Sequence, residues 1–251
     1  MGRKQKWISE IEQNQMQTYT LSSWKYFHDF IVEEFLDYRD YVFRGQANEN
    51  WFLEPSLNRY LNNKSPEDYK EIKSKHLERF KFSLRGRTNI LKNILSNEDE
   101  LWALGQHHGL MTPMLDFSFS PYVAAYFAFY DNTPNDSDYR VIFSVHQSTI
   151  DKKFDSKLKI YKPYSDHNQR LLNQSGLFVK FDTNTHLENL FKDNFPDKND
   201  NITLLKIRIP NKDRELCLRT LNRMNINHNT LFPDIEGTSI FCNLELSIKN
   251  Y

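Results

Sequence analysis

The sequence predicts an α+β fold in a single domain, with N-terminal helices packed on a small mixed or antiparallel sheet. Three observations carry this. Apolar residues at helical spacing dominate the first half of the chain. Runs that alternate apolar and polar residues, as half-buried strands do, gather mostly in the second half. No regular strand–helix–strand rhythm of the parallel type joins them, and no repeat or low-complexity linker divides the 251 residues.

Residues 1–17 are polar and read as a loose arm ahead of a domain spanning 18–251. In "TLSSWKYFHDFIVEEFLDYRD", Trp24, Phe27, Ile31, Phe35 and Tyr38 form one helical stripe, with Ser22 or Ser23 as cap. "YVFRGQ" is a short β-prone run ended by Gly45, and Pro55 marks a turn in "NENWFLEPSLNRY". Residues 66–95 read as a long helix, capped by Ser65 with Pro66 at its first position, and broken near Gly86. Its cations outnumber its acids, which fits a solvated face or a basic groove for a phosphate-bearing ligand.

"DELWALGQHH" reads as a helix and "TPMLDFS" as extended chain or loop. "SPYVAAYFAFYD" is a helix capped by Ser120 with Pro121 behind it. "YRVIFSVHQ", "SGLFVKFD" and "ITLLKIRIP" read as strands. "NKDRELCLRTLNRMNI" is helical, and a final helix follows the turn at Pro233.

Composition narrows the function. The chain has 33 basic and 33 acidic residues, so net charge gives no help to a polyanion binder. Its 19 Phe and 13 Tyr imply a core built on aromatics as much as aliphatics. Cys217 and Cys242 lie in no paired or metal-binding spacing and read as reduced thiols. The first residues lack the apolar run of a signal peptide, and no run approaches the ~20 residues that span a bilayer. The expectation is a cytoplasmic protein without membrane or metal. No Gly-rich phosphate loop, zinc-protease or nucleophile-elbow motif is present.

Several residues stand out chemically. Arg44 ends an apolar strand, where its planar fork of donors suits a phosphate or carboxylate, or a local acid at a sheet edge. Gly45 behind it would admit a ligand or a second strand. Between two helices lies a polar insertion with Gln106, His107, His108, Thr112, Asp116, Ser118 and Ser120. It feeds the N-terminus of the Pro121 helix, where free N–H groups suit an anion. Asp116 is its lone acid, fit for a turn, an ion pair with Arg59 or His107, or chemistry. Arg170, Gln174 and Gly176 precede a strand, and Asp234 and Glu236 flank a helix start.

These blocks together resemble the FRG-domain family, named for its Phe-Arg-Gly motif. The motif stands as Phe43-Arg44-Gly45. A second block runs from Gln106 to Ser118 and continues through Pro121 to Ala128; a third is Arg170, Gln174, Gly176 and Phe178; the last is Leu231 to Gly237. Met111, Pro113, Phe117 and Ser118 depart from the family pattern, Pro113 by replacing an Arg. The family looks like a distant relative of the ADP-ribosyltransferase fold. Arg44-Gly45 and Ser118-Phe119-Ser120 leading to Phe127-Ala128 fit that fold's first two motifs. Its third needs a Glu where this chain has Asn168, Gln169 and Arg170.

The resemblance implies an ADP-ribosyltransferase-like cleft that uses NAD as substrate. Arg44 would hold phosphate or ribose, Ser118 would support it, and Tyr126 would stack on nicotinamide. Gly45, Gln46, His107, Thr112, Ser120, Arg170 and Gln174 complete the implied nucleotide-binding set. A carboxylate, one of Asp116, Asp234 and Glu236, would stabilise the positive charge of the departing ribose. The implied protein is an effector or toxin of bacterial phage defence, with a protein or nucleic-acid acceptor and an antitoxin or immunity partner. The alternative is a non-catalytic nucleotide-, nucleic-acid- or protein-binding module. A scaffold whose motifs are only core and turns is the third reading.

Overall fold

The computed structural model describes residues 5–11, 16–86, 92–132, 136–154, 156–163, 169–194 and 204–251. Among them run strands β1 (Trp7–Ile11), β2 (Gln17–Leu21), β3 (Tyr41–Gln46), β4 (Met114–Ser118), β5 (Tyr139–His146), β6 (Leu158–Tyr161), β7 (Gly176–Phe181) and β8 (Leu204–Pro210). They form one mixed sheet in the order β1-β2-β8-β5-β3-β4-β7-β6. The β2–β8 pair is parallel and the other pairs are antiparallel.

The helices are α1 (Phe27–Glu34), α2 (Ser56–Tyr60), α3 (Pro66–Ser83), α4 (Lys92–Ser96), α5 (Glu98–His107), α6 (Pro121–Tyr130), α7 (Gln147–Lys153), α8 (Gln169–Asn173), α9 (Leu187–Asn194), α10 (Arg214–Arg223), α11 (His228–Leu231) and α12 (Ile235–Ser247). The α+β class stands, but two details change. The sheet is large, and helices alternate with strands along the whole chain rather than gathering at the N-terminus. The described part of the N-terminal arm is no loose tail either: β1 pairs with β2 from Trp7 opposite Leu21 to Ile11 opposite Gln17.

Burial explains the layering. One face of the sheet is covered by α1, α6 and α10, where Phe27, Phe30, Phe129 and Leu218 pack on Phe43, Ile142 and Ile207. The other face carries α7 and α9, with Ile150, Phe154 and Phe191 on Val42, Phe143 and Val179. β5 lies between both layers, so six consecutive residues, Arg140 to Val145, are buried and strict alternation is lost. A third cluster joins α3 and α5 to β7 through Tyr69, Trp102 and Phe178.

Helix α6 is apolar on nearly every side and accordingly buried. The Ser120 side chain accepts from Val123 N, and Pro121 occupies the first turn. At its other end, Arg140 donates to Ala128 O at 2.6 Å and Arg214 donates to Tyr130 O at 2.9 Å. Two cations thus satisfy carbonyls at the negative end of the helix dipole. The helix crosses β3 so closely that a Cβ on Gly45 would lie 1.9 Å from Ala124 O and 2.6 Å from Ala128 N. Gly45 thus admits the helix on one side, and it also lines a cleft.

The basic segment 66–95 divides. α3 ends at Ser83, Gly86 takes a left-handed φ of +77°, and residues 87–91 lie outside the described set. Only Tyr69 and Leu77 of α3 are buried. Lys75 pairs with Glu71, and Lys73 pairs with Asp182 at 2.7 Å, so α3 is a solvated face.

Asp99, in the first turn of α5, is buried between Lys159 at 2.6 Å and Lys180 at 2.7 Å. Burial raises its pKa, but the hydrogen bonds and charge of the two lysines outweigh burial and hold it below the usual carboxylate value. A folded pKa below the unfolded one stabilises the protein above the unfolded value, ~3.9. That contribution fades as pH falls through the folded value. Asp99→Asn should therefore cost on the order of 2 kcal/mol at neutral pH. The deficit should shrink below about pH 4. Urea melts of both proteins from pH 7 to pH 3 read this; a pH-independent difference contradicts it.

Candidate functional site

The sheet forks at its centre. β3 keeps its full pairing with β5, and β4 keeps its full pairing with β7. Between β3 and β4 there is one paired position, Phe43 opposite Ser118. Beyond it the strands separate, and Arg44 crosses the gap, donating from Nη1 to Asp116 O at 2.7 Å. A cleft of about 520 Å³ opens at this fork, within the size range of nucleotide-scale ligand sites.

Arg44, Gly45, Gln46, Gln106, His107, Asp116, Ser118, Arg170 and Gln174 all line the cleft. Asp116 is held by a short relay. Gln106 Nε2 donates to Asp116 Oδ2 at 2.7 Å, and the Thr112 hydroxyl donates to Gln106 Oε1. Arg44 Nη1 lies 3.7 Å from the same Oδ2. Thr112 itself is fully buried and acts through Gln106 rather than lining the cleft.

Arg44 is the central cation. Burial lowers its pKa, Asp116 opposes that, and Arg59 adds to it. The guanidinium stays charged at neutral pH, because arginine starts so high. Its Nε is buried without a hydrogen-bond partner, and so is Gln46 Oε1, although Gln46 Nε2 donates to Phe52 O at 3.1 Å. Buried polar atoms are normally satisfied, so these two are an uncompensated cost at the fork.

Several predicted residues also have structural partners. Ser118 Oγ donates to Gln174 O at 2.7 Å and accepts from Ser120 N at 2.9 Å, tying β4 to the turn before β7. Ser120 serves as the α6 cap and does not line the cleft. Tyr126 is fully buried, its Oη 3.1 Å from His228 Nδ1, and stacks on Tyr130 rather than facing a ligand. Phe127, Tyr130 and Phe232 supply the aromatic wall on that side. His107 is half-buried beside an exposed His108, and burial first, then His108 and Arg170, lowers its pKa.

The expected acids divide in the same way. Asp234 accepts from Arg170 Nε at 2.8 Å and Nη2 at 2.5 Å, and caps α12 by accepting from Gly237 N at 2.8 Å. The Gly237 and Arg170 hydrogen bonds hold its pKa below the usual range. Glu236 lies 3.6 Å from Arg170 and is largely exposed. Neither acid lines the cleft, so they clamp α8 to α12 instead of facing a ligand. Asn168 lies outside the described residues. Cleft residues that the sequence did not point to include Trp51, Glu54 and Arg59 near the Phe-Arg-Gly motif, and Tyr130 and Asp131 at the end of α6.

Among the described residues, no three His, Cys, Asp or Glu side chains are grouped to hold a metal ion. Nor is any helix among them long and apolar enough to cross a membrane.

The fold and site thus define a mixed-sheet α/β protein with a polar cleft at a sheet fork. Among known families, a model described as the FRG domain matches residues 39–137, which supports the FRG family for this chain. The match contains β3, β4 and α6, hence Arg44, Asp116 and both walls of the fork; Arg170, Gln174 and Asp234 lie beyond it. No curated protein and no solved structure matches the chain.

Proposed function

We propose that the fork cleft binds a nucleotide of the NAD class and that the protein is an ADP-ribosyltransferase-like enzyme. The observation that carries this is Arg44: a half-buried cation at the fork whose Nε has no protein partner, with Gln46 Oε1 equally unpartnered. Arg59 and Arg170 line the same cleft. Three guanidinium groups around one cleft suit a pyrophosphate, although Arg170 already donates from Nε and Nη2 to Asp234. NAD bound there supplies a glycosidic bond whose electron pair leaves with nicotinamide, while positive charge grows on the ribose. The Asp116 carboxylate, held by Gln106, offers that charge a fixed negative neighbour. Trp51, Phe127 and Phe232 provide aromatic faces for planar rings.

An effector or toxin role, a macromolecular acceptor and an immunity partner belong to the same proposal and rest on the family resemblance. One observation favours the non-catalytic reading instead: Asp234 and Glu236 are committed to Arg170, which removes two of the three expected acids from the cleft. Mixing purified protein with NAD labelled at the adenylate phosphate and a cell extract separates the two. The enzyme reading expects label on protein or nucleic acid with wild type and none with Arg44→Ala. Neither transfer nor nicotinamide release by folded wild type would leave a binding module.

A further inference from the structure

Glu54 lies between β3 and α2, where it lines the cleft. The segment that carries it is pinned on both sides. Leu53 N donates to both carboxylate oxygens of buried Glu188, at 3.0 and 3.2 Å, and Leu187 N donates to Leu53 O at 3.0 Å. Glu188 is in turn held by His186 Nδ1 at 3.0 Å, and the His186 ring stacks on Phe52 at 4.1 Å. After Glu54, Pro55 fixes the backbone, Leu57 N donates to Thr112 O at 3.2 Å, and Thr112 N donates to Ser56 Oγ at 3.2 Å.

This frame presents a half-buried carboxylate that, among the described residues, accepts no hydrogen bond and forms no ion pair. The ionisable groups facing it are His186 and Glu188 from the α9 side and Arg59 from α2. Burial, which Glu188 reinforces, outweighs His186 and Arg59 and raises its pKa. A desolvated acid without a partner is a cost to the fold. A rigid acid with its pKa moved toward neutrality is also what general-base catalysis uses.

We infer, on the NAD-using reading above, that Glu54 is the proton acceptor of the transfer step. The nucleophile is a hydroxyl or amine of the acceptor, or water when no acceptor is present. Its O–H or N–H proton passes to the Glu54 carboxylate while its lone pair bonds to ribose C1′. The C1′–nicotinamide bond breaks, and its electron pair leaves with the ring nitrogen as neutral nicotinamide. Glu54 then returns the proton to solvent. Asp116 keeps a separate task, as the fixed charge beside the ribose.

The test compares full-length wild type, Glu54→Gln and Glu54→Asp in nicotinamide release from NAD across pH, with NAD affinity and melting temperature alongside. Glu54→Gln is expected to lower turnover at least ~100-fold, with NAD affinity nearly unchanged and no loss of melting temperature. The acidic limb of the wild-type pH profile should vanish with it, and Glu54→Asp should recover part of the rate. Wild-type turnover and profile in Glu54→Gln overturn the inference, and so does a loss that follows a drop in melting temperature. Wild type that releases no nicotinamide sinks the NAD-using reading and the Glu54 role together. An active wild type with an indifferent Glu54→Gln sinks only the latter.

Discussion

Gly45→Ala should be severely destabilising. The added Cβ would meet Ala124 O at 1.9 Å and Ala128 N at 2.6 Å. Both are backbone atoms of a buried helix, so no side chain can swing aside. The sheet cannot yield either, since β3 is paired with β5 through Gln46. Helix α6 must shift as a body, at roughly 3 kcal/mol or more. For a chain of this size that is about 10 °C in melting temperature. Ala124→Gly should give no rescue, because the clash is with the carbonyl. Ala124, Phe127 and Tyr130 ride on the same helix into the cleft wall, so ligand binding should fall with stability. Thermal melts of the single and double variants read this; a Gly45→Ala protein as stable as wild type would contradict the packing.

Arg44→Lys should have the largest effect on function with the least on the fold. Lysine keeps the charge but replaces a planar fork with one ammonium. It cannot both reach Asp116 O across the strand gap and present paired donors to a phosphate. NAD affinity or turnover should fall ~100-fold or more. The fold loses one hydrogen bond, worth about 1 kcal/mol. It also loses a buried, unpartnered Nε. Melting temperature should therefore change by a few degrees at most. Equal loss of stability and binding would make Arg44 a strut of the fork rather than a ligand contact.

What could be read in advance follows the range of the interactions. Segment α6 was legible because Ser120 and Pro121 are local signals and its apolar surround is self-evident. The strands β5, β7 and β8 were legible for the same reason. Strand β4 read only as extended chain or loop, since five residues with Asp116 in the middle carry little pattern; its pairing with β7, some sixty residues away, makes it a strand. β1 was missed because an edge strand with exposed Ser9 and Glu10 looks like a polar tail.

The site divides likewise. Arg44, His107, Asp116, Arg170 and Gln174 were named from motif spacing, and the fold brings them to one cleft. The choice among acids was not legible. Asp234 and Glu236 carry the right chemistry, but their pairing with Arg170 depends on where α8 and α12 meet. Glu54 looked like a residue beside a turn proline. Only the contact of Leu53 with Glu188, far along the chain, turns it into a cleft carboxylate. Tyr126 was chosen for its aromatic ring, yet the helix turns that ring into the core and offers Phe127 to the cleft.

The most direct measurement is a calorimetric titration of NAD into wild type and into Arg44→Ala, with melting curves to show that both are folded. A cleft built around the unpartnered Arg44 guanidinium predicts saturable binding by wild type, weakened at least ~100-fold in the variant at nearly unchanged stability. Absence of binding to wild type, or equal affinity in both proteins, would contradict it.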